Sequence, residues 1–338
     1  MIEDWTGRGL ADLLDSRQLV TPMDPFITFL DDPLRALRAI RFSIRFGFDL
    51  DTKLKQAIVS KKIHDALLVK VSRERIGKEL EGCLSGKGAN PVKALKLIGE
   101  LNMSDSVFSL PSNTRVDGDL LGKAVNVDRL MDGWRISSLH MEGVEEVIEA
   151  KYEKGSRVET SLDTRLLAIS SYLLPFRKLT YRDRKLKEVS VVEFIIRESI
   201  KFKNKDVREV VLLMENVDNF LSLFKQDEFR REEAGMLLRA TKGLWVTCLF
   251  LAGILGQSIE KAQLIYGRIA DVNLDLTWKD RPLWDGRALS QILGLPKGPM
   301  IGIFLEEQVR WTLANPTGTK DAALEHLKIY HKQFELKR

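Results

Sequence analysis

The stretch DDPLRALRAIRFSIRFGF, residues 31–48, decides how this chain is read. It packs an acidic pair, a proline and four arginines into about four helical turns. Pro33 suits the first helical position, where its missing N–H costs nothing and its fixed φ is already helical, so Asp32 is placed at the N-cap. At roughly 100° per residue, Arg35, Arg38, Arg41 and Arg45 share about a third of the helical wheel, with Ala36, Leu37, Ile40 and Ile44 opposite. One face is predicted to be core and the other guanidinium.

Two readings of that helix follow from spacing. In one, the arginines are a solvated basic face, Asp32 is an ordinary cap and Asp31 pairs with Arg35. In the other, an acidic acceptor beside a planar five-donor fork matches the Watson–Crick edge of a nucleotide base, and further arginines hold its triphosphate. Spacing alone leaves both open.

The rest of the chain bounds the choice. Its 338 residues, 44% hydrophobic and 30% charged, supply core for two or three domains. A net charge of +5 fits a polyanionic partner. Cys83 and Cys248 are its two cysteines, so no disulfide framework is implied. The apolar run 244–255 is too short to span a bilayer and reads as a buried helix. The opening Met1-Ile2-Glu3-Asp4 has the character of neither a signal peptide nor a basic transit peptide.

Several motifs are weighed and set aside. His64-Asp65 lacks the distant ligands of a metal-dependent phosphohydrolase, since the other histidines are His140, His326 and His331, and it reads as a helix-surface pair. Asp117-Gly118-Asp119 sits in a polar stretch with no apolar strand to hold it rigid, as a two-metal site requires, and reads as a turn. Neither a P-loop nor a G-x-S-x-G elbow occurs.

Helical periodicity dominates and alternating strands are scarce, so a mainly α fold is expected. Helices are predicted over 51–60, 72–84 and 91–101, with turn signals at Gly86-Lys87-Gly88 and Pro111-Ser112-Asn113. Ser72 is an N-cap candidate, and Glu74 stands four residues before Lys78. After a turn-rich linker over 111–130, helices are expected from Trp134 onward and over 162–174, 189–202 and 207–223. Tail helices follow over 306–314 and 320–334, the latter capped by Thr319. Around Tyr181 cluster Arg177, Lys178, Arg182, Arg184, Lys185 and Lys187, followed by Arg197, Lys201, Lys203, Lys205 and Arg208. Such clusters can bind RNA phosphates, and Arg182, Lys185 and Lys205 are the candidates, although Asp183 and Glu188 leave simple solvation open.

The quoted residues resemble a known family. Asp31-Asp32-Pro33-Leu34-Arg35, continuing into Leu37-Arg38-Ala39-Ile40-Arg41-Phe42, is similar to the base-selecting motif of class II tRNA nucleotidyltransferases, the CCA-adding enzymes. EDWTGRGLADL (3–13) and VTPMDPFITF (20–29) resemble the family's segment joining catalytic head to neck. VSRERIGKEL (71–80) resembles the motif that closes the neck, and NPTGT (315–319), after Trp311, its tail. Gly294-Leu295-Pro296-Lys297-Gly298-Pro299 resembles a helix turn of the tail. The matches run in family order, with the eukaryotic enzymes most alike.

The resemblance implies a mainly α chain of neck, body and tail without the α/β nucleotidyltransferase head: a connecting segment (1–30), a neck (31–110), a body (111–255) and a tail (256–338). It implies CCA addition to tRNA from CTP and ATP, with Asp32, Arg35 and Arg38 binding the nucleotide and Asp31 and Arg41 supporting them. Arg73, Glu74, Arg75 and Glu79 are expected to brace the neck rather than touch substrate. The tRNA acceptor arm is the expected partner. No membrane contact, catalytic residue or metal ligand is expected in these residues: Mg2+ belongs to a head-containing form, and the chain alone is expected to be inactive for want of the metal-binding Asp-x-Asp. Family habit suggests an intracellular protein, cytoplasmic first, with mitochondrial, nuclear or plastid forms. The alternative is a non-catalytic helical RNA-binding protein of the same descent. A helical scaffold finds no repeat of fixed period to support it.

Overall fold

The computed structural model describes residues 3–111, 116–117, 127–151, 162–183, 185–226 and 228–336. Caps visible in the sequence set many of its helix starts. A short α1 (Gly9–Ala11) is followed by α2 (Pro25–Asp31), where Asp24 accepts from Ile27 N–H at 3.0 Å and Pro25 opens the helix. The basic helix α3 runs Leu34–Phe46 and ends at Gly47, whose left-handed φ of 67° lets Phe48 N–H reach the Ser43 carbonyl at 3.0 Å. Next come α4 (Thr52–Ile58), capped by Asp51, and α5 (Lys61–Lys70), a helix that the sequence reading did not single out. Then follow α6 (Arg73–Leu84), with Ser72 Oγ accepting from Arg75 N–H at 3.4 Å, α7 (Pro91–Glu100), capped by Asn90, and α8 (Ser104–Val107).

The next group comprises α9 (Val127–Lys151), α10 (Thr164–Leu173), α11 (Val191–Phe194) and α12 (Asn204–Ser222). The last comprises α13 (Arg231–Thr241), α14 (Trp245–Leu255), α15 (Ile259–Asp271), α16 (Gly286–Leu293), α17 (Pro299–Ala314) and α18 (Lys320–Leu336). Thr319 Oγ1 accepts from Ala322 N–H at 3.2 Å, as a capping threonine does. Strands are minor. Strand β1 (Gln18–Leu19) pairs in parallel with β2 (Asp49–Leu50), while β3 (Val116–Asp117), β4 (Thr180–Arg182) and β5 (Glu188–Ser190) form an antiparallel sheet in the order β3-β4-β5.

Three expectations change here. The basic cluster around Tyr181 is a β-hairpin, closed by Asp183 accepting from the Lys185 and Lys187 N–H groups. The helix expected over 189–202 is short because its first residues belong to β5, and it continues as a π-helical turn, Ile195–Ser199. Asp117 lies on a strand whose partner is Thr180, rather than in a turn, whereas Gly118, Asp119 and most of the expected linker over 111–130 lie outside the described residues.

One hydrophobic core runs from Phe29 to Leu313, and a smaller one gathers Leu289, Leu293, Leu295, Phe304 and Leu327 around α16, α17 and α18. The first core does not break near residue 110. Trp134 on α9 stacks among Phe108, Tyr172 and Phe176, with ring centroids 4.2–5.9 Å away, and its indole N–H donates to Asp105. Ser104 Oγ and the Tyr172 hydroxyl share a hydrogen bond at 2.7 Å, and burial pushes the phenol up to about 12. Helices α13 and α14 together give the stretch Arg231–Leu255, apolar and long enough to cross a membrane by composition, yet 67% of its most apolar window is buried. Every residue from Trp245 to Ile254 is buried, so α14 is a core helix apolar on all sides.

Close backbone approach joins α6 to the segment after the π-turn. A methyl on Gly77 would collide with the Ile200 carbonyl, a main-chain group that cannot swing away, whereas a methyl on Gly82 would meet Arg41 Cδ at 2.7 Å, part of a long side chain that can move. Gly77→Ala is therefore expected to cost about 3 kcal/mol of stability. Gly82→Ala is expected to change it by less than about 1 kcal/mol, since helix propensity offsets the crowding. Denaturant unfolding of the two variants measures the contrast.

His140 on α9, hydrogen-bonded to the Ser171 carbonyl at 3.0 Å, and His64 on α5, bonded to the Ile58 carbonyl at 2.7 Å, are both held below the usual imidazole range by burial. Because the unfolded chain takes up these protons first, stability is intact above about pH 6.5 and falls as the pH is lowered through the native values. Melting temperature should drop between about pH 7 and pH 5. His140→Gln should flatten that slope in a thermal-unfolding series.

Candidate nucleotide and RNA interface

The N-terminus of α3 assembles the candidate site. Asp32 divides its carboxylate: Oδ1 accepts from the N–H of Leu34, the first residue of α3, at 3.2 Å, the N-cap position falling on Pro33 rather than on Asp32 as expected, and Oδ2 accepts from Arg75 Nη2 of α6 at 3.2 Å. Arg35 does not pair with Asp32. Its Nη1 lies 3.3 Å from Asp31 Oδ2 and donates to the Thr28 carbonyl at 3.2 Å. The Asp32–Arg75 and Asp31–Arg35 pairs are exposed, and such pairs contribute at most about 1 kcal/mol, so an incoming ligand can exchange with them.

One turn further on, the arginines are held differently. Glu79 of α6 is 9% exposed and meets two of them: Arg38 Nη1 donates to Oε1 at 3.4 Å, and Arg41 Nε lies 2.7 Å from Oε2 in an ion pair whose angle is not that of a hydrogen bond. Arg38 keeps 47% of its side chain exposed and Arg41 only 20%, because Arg41 lies along Gly82 and over the Phe42 ring, 4.7 Å from its centroid. The single solvated arginine face therefore splits. Arg35, Arg38 and Arg45 look outward, and Arg41 belongs to the α3–α6 junction.

The four residues expected to brace the neck have distinct surroundings. Arg73 is half-buried and donates to the Ser106 and Val107 carbonyls at 2.9 and 3.2 Å, tying α6 to α8, and burial lowers its guanidinium from the ordinary value. Glu79 joins α6 to α3. Arg75 faces Asp32, within the candidate site, a position that no helical spacing reveals because 43 residues separate the two. Glu74 is exposed, and hydrogen bonds to its own backbone N–H and to Ser72 hold its carboxyl below the usual range, with a smaller pull from Lys201.

The candidate RNA contacts lie elsewhere. Arg182 and Lys185 are exposed on the β4–β5 hairpin, and Arg182 has a partner of its own. Lys205 lies 3.6 Å from Glu209. Arg177 and Lys178 both bind Asp218, and Arg197 and Lys201 pair with Glu193 and Glu198, so much of the basic cluster is locally neutralised. Arg184 lies outside the described residues.

Among the described residues no three His, Cys, Asp or Glu side chains gather closely enough to hold a metal ion. His64 and Asp65 diverge: the imidazole turns inward to Ile58, while Asp65 pairs with Lys61 at 3.0 Å. Both cysteines are buried and free, with burial pushing the Cys83 thiol up to about 12. Gly294 and Gly298, with φ of 68° and 141°, turn the chain between α16 and α17.

Similarity to known proteins converges on one group. No family model matches the chain. It is 28% identical to the mitochondrial CCA tRNA nucleotidyltransferase of Saccharomyces cerevisiae and 27% identical to that of Candida glabrata, in each case over 97% of its own length. A CCA-adding enzyme of Geobacillus is 39% identical over 95 residues, 28% of the chain. The chain spans 64–66% of the two fungal relatives. The fold is shared with the Thermotoga maritima CCA-adding enzyme solved with tRNA, at a TM-score of 0.56 and 20% identity, covering 95% of this chain and 65% of that one. It is shared also with the Bacillus stearothermophilus enzyme solved with CTP, at a TM-score of 0.58 and 18% identity, covering 100% and 70%. The architecture is thus the mainly α one of CCA-adding enzymes, and nearly the whole chain resembles CCA tRNA nucleotidyltransferases in sequence.

Glu79→Gln tests the junction under the site. It preserves shape but removes the anion that compensates Arg41, and breaking a largely buried pair in this way is expected to cost about 3 kcal/mol. Glu79→Gln combined with Arg41→Met should recover much of the loss in a double-mutant cycle of unfolding free energies.

Proposed function

We propose that this chain is the nucleotide-selecting and tRNA-binding part of a CCA-adding tRNA nucleotidyltransferase, using CTP and ATP as substrates and the tRNA acceptor arm as partner. The observation that carries the reading is the placement of Asp32, Arg35 and Arg75 at the solvent-facing N-terminus of α3, in weak pairs that a ligand can displace. Similarity along 97% of the chain to CCA tRNA nucleotidyltransferases supports it.

Cytosine and adenine share one pattern on their Watson–Crick edge, an amino donor beside a ring-nitrogen acceptor, and uracil and guanine present the reverse. A carboxylate accepts from the amino group and a guanidinium donates to the ring nitrogen, so Asp32 with Arg35 selects C and A with one surface. Arg38, half-exposed and held by Glu79, takes the sugar or phosphate side, with Asp31 and Arg41 setting the positions of their neighbours. Arg75 holds Asp32 until the base arrives. In this reading the neck covers 31–110, the body 111–255 and the tail 256–338, after a connecting segment of 1–30. Arg182, Lys185 and Lys205 meet tRNA phosphates. The carboxylates and Mg2+ of nucleotidyl transfer come from outside these 338 residues, so the chain by itself binds without adding nucleotides. The fungal relatives' mitochondrial names support a mitochondrial form.

The decisive substitution is Asp32→Ser. Serine caps a helix nearly as well as aspartate but offers a base edge neither the charge nor the two oxygens of a carboxylate. Calorimetric titration of the chain should show CTP and ATP preferred over UTP and GTP, and Asp32→Ser should erase a preference on the order of 1–3 kcal/mol with little change in melting temperature. Undiminished selectivity in Asp32→Ser would leave Asp32 as a cap and overturn the base-reading role.

A further inference from the structure

The far end of α3 carries a second feature that base selection does not use. Phe42, Phe46 and Phe48 form a ladder along one edge of the helix, with centroid separations of 5.8 Å between the first two and 5.9 Å between the last two. The left-handed Gly47 turns Phe48 back into the ladder. Guanidinium groups are set against it: Arg38 and Arg41 lie 5.7 and 4.7 Å from the Phe42 centroid, and Arg45 lies 5.8 Å from that of Phe46. Phe46 is 55% exposed, so one face of its ring is open beside Phe42, Phe48 and Arg45.

Exposed cations gather at the Phe46 end of the ladder. Among the described residues Arg45 has no carboxylate partner, and neither do Arg17 and Lys87. The Gly86–Gly88 turn that carries Lys87 abuts the end of α3, since a methyl on Gly88 would lie 2.8 Å from the Arg45 carbonyl. Arg17 reaches the same end through its carbonyl, which accepts from Asp49 N–H at 3.0 Å, next to Phe48. Acidic neighbours are Asp49, exposed, and Asp51 just past strand β2, while Glu79 answers Arg38 and Arg41 at the Phe42 end. An apolar protein surface seated here would strip water from unpaired cations at a cost nothing returns. A single-stranded polynucleotide answers both features, with a base π-face for the phenyl ring and phosphates for the cations.

We propose that Phe42, Phe46 and Phe48, flanked by Arg45, Arg17 and Lys87, form a stacking platform for an unpaired base of single-stranded RNA. The inference rests on the proposed function only in taking RNA as the polymer, and it requires neither base selection by Asp32 nor nucleotide addition.

The test uses the 338-residue chain and a single-stranded RNA oligonucleotide carrying 2-aminopurine, whose fluorescence is quenched on stacking. Wild type should bind and quench. Phe46→Leu keeps an apolar helix former but no π-face, and should weaken binding about tenfold and relieve the quench with unchanged melting temperature. Phe46→Trp should retain both within about twofold. Arg45→Gln should reduce the slope of log affinity against log salt by about 0.7. A Phe46→Leu chain that binds and quenches like wild type, or a wild-type chain that binds the oligonucleotide without quenching or not at all, overturns the platform. If tRNA binding and Asp32-dependent nucleotide preference persist in that case, the proposed function stands. If they are absent while Phe46-dependent quenching remains, the proposed function falls and the platform stands.

Discussion

The site depends on one carboxylate. Glu79 lies nearly buried between α3 and α6 and meets Arg38 with one oxygen and Arg41 with the other. Burying an anion is costly unless cations compensate, and two guanidiniums on one helix face do so here while being fixed in return. Arg41 is drawn inward against Gly82 and Phe42, and Arg38 is steadied with its outer half in solvent. A helix of freely solvated arginines would attract phosphate without orienting it. Anchored at its middle, α3 can present its two ends to different groups.

The scaffold behind that anchor is joined by contacts that leave little slack. The main chain at Ile200 rests directly on Gly77, and the Trp134 cluster carries one core across α7, α8, α9 and α10. Arg165 of α10 adds a polar tie, reaching Glu81 of α6 at 2.5 Å and Asp206 of α12 at 2.8 Å while its guanidinium lies 4.9 Å from the Phe202 centroid. Helix α6 thus presents one set of residues to α3 and another to the rest of the core, and a change in its seating would shift Glu79 and Arg75 together. The smaller core around Phe304 and Leu327 stands apart from this linkage, and its two left-handed glycines set the turn between α16 and α17.

Much of the architecture was legible in the sequence because local rules carry it. Ser72 and Thr319 mark helix starts by capping chemistry that acts within three residues, and the apolar face of α3 follows from periodicity alone. The hairpin around Tyr181 was not legible. Its strands are three residues long, too short for alternation to show, and its basic composition points to solvent in any conformation. Helix α5 escaped for a related reason, since Lys61–Lys70 has a weak apolar stripe and buries only Ile63 and Leu67.

The sequence by itself determined the arginine-bearing helix, its apolar face opposite the guanidiniums and the placing of Asp32 beside its start, since each depends on neighbours within one or two turns. The tertiary structure decided which acid meets which arginine. Arg75 rather than Arg35 reaches Asp32, across 43 residues, and Arg41 is taken from the solvated face by Glu79. Ion pairing between helices is fixed by how their backbones pack, and that packing is set by small residues such as Gly77 and Gly82, whose lack of a side chain says nothing, in one dimension, about what will lie against them.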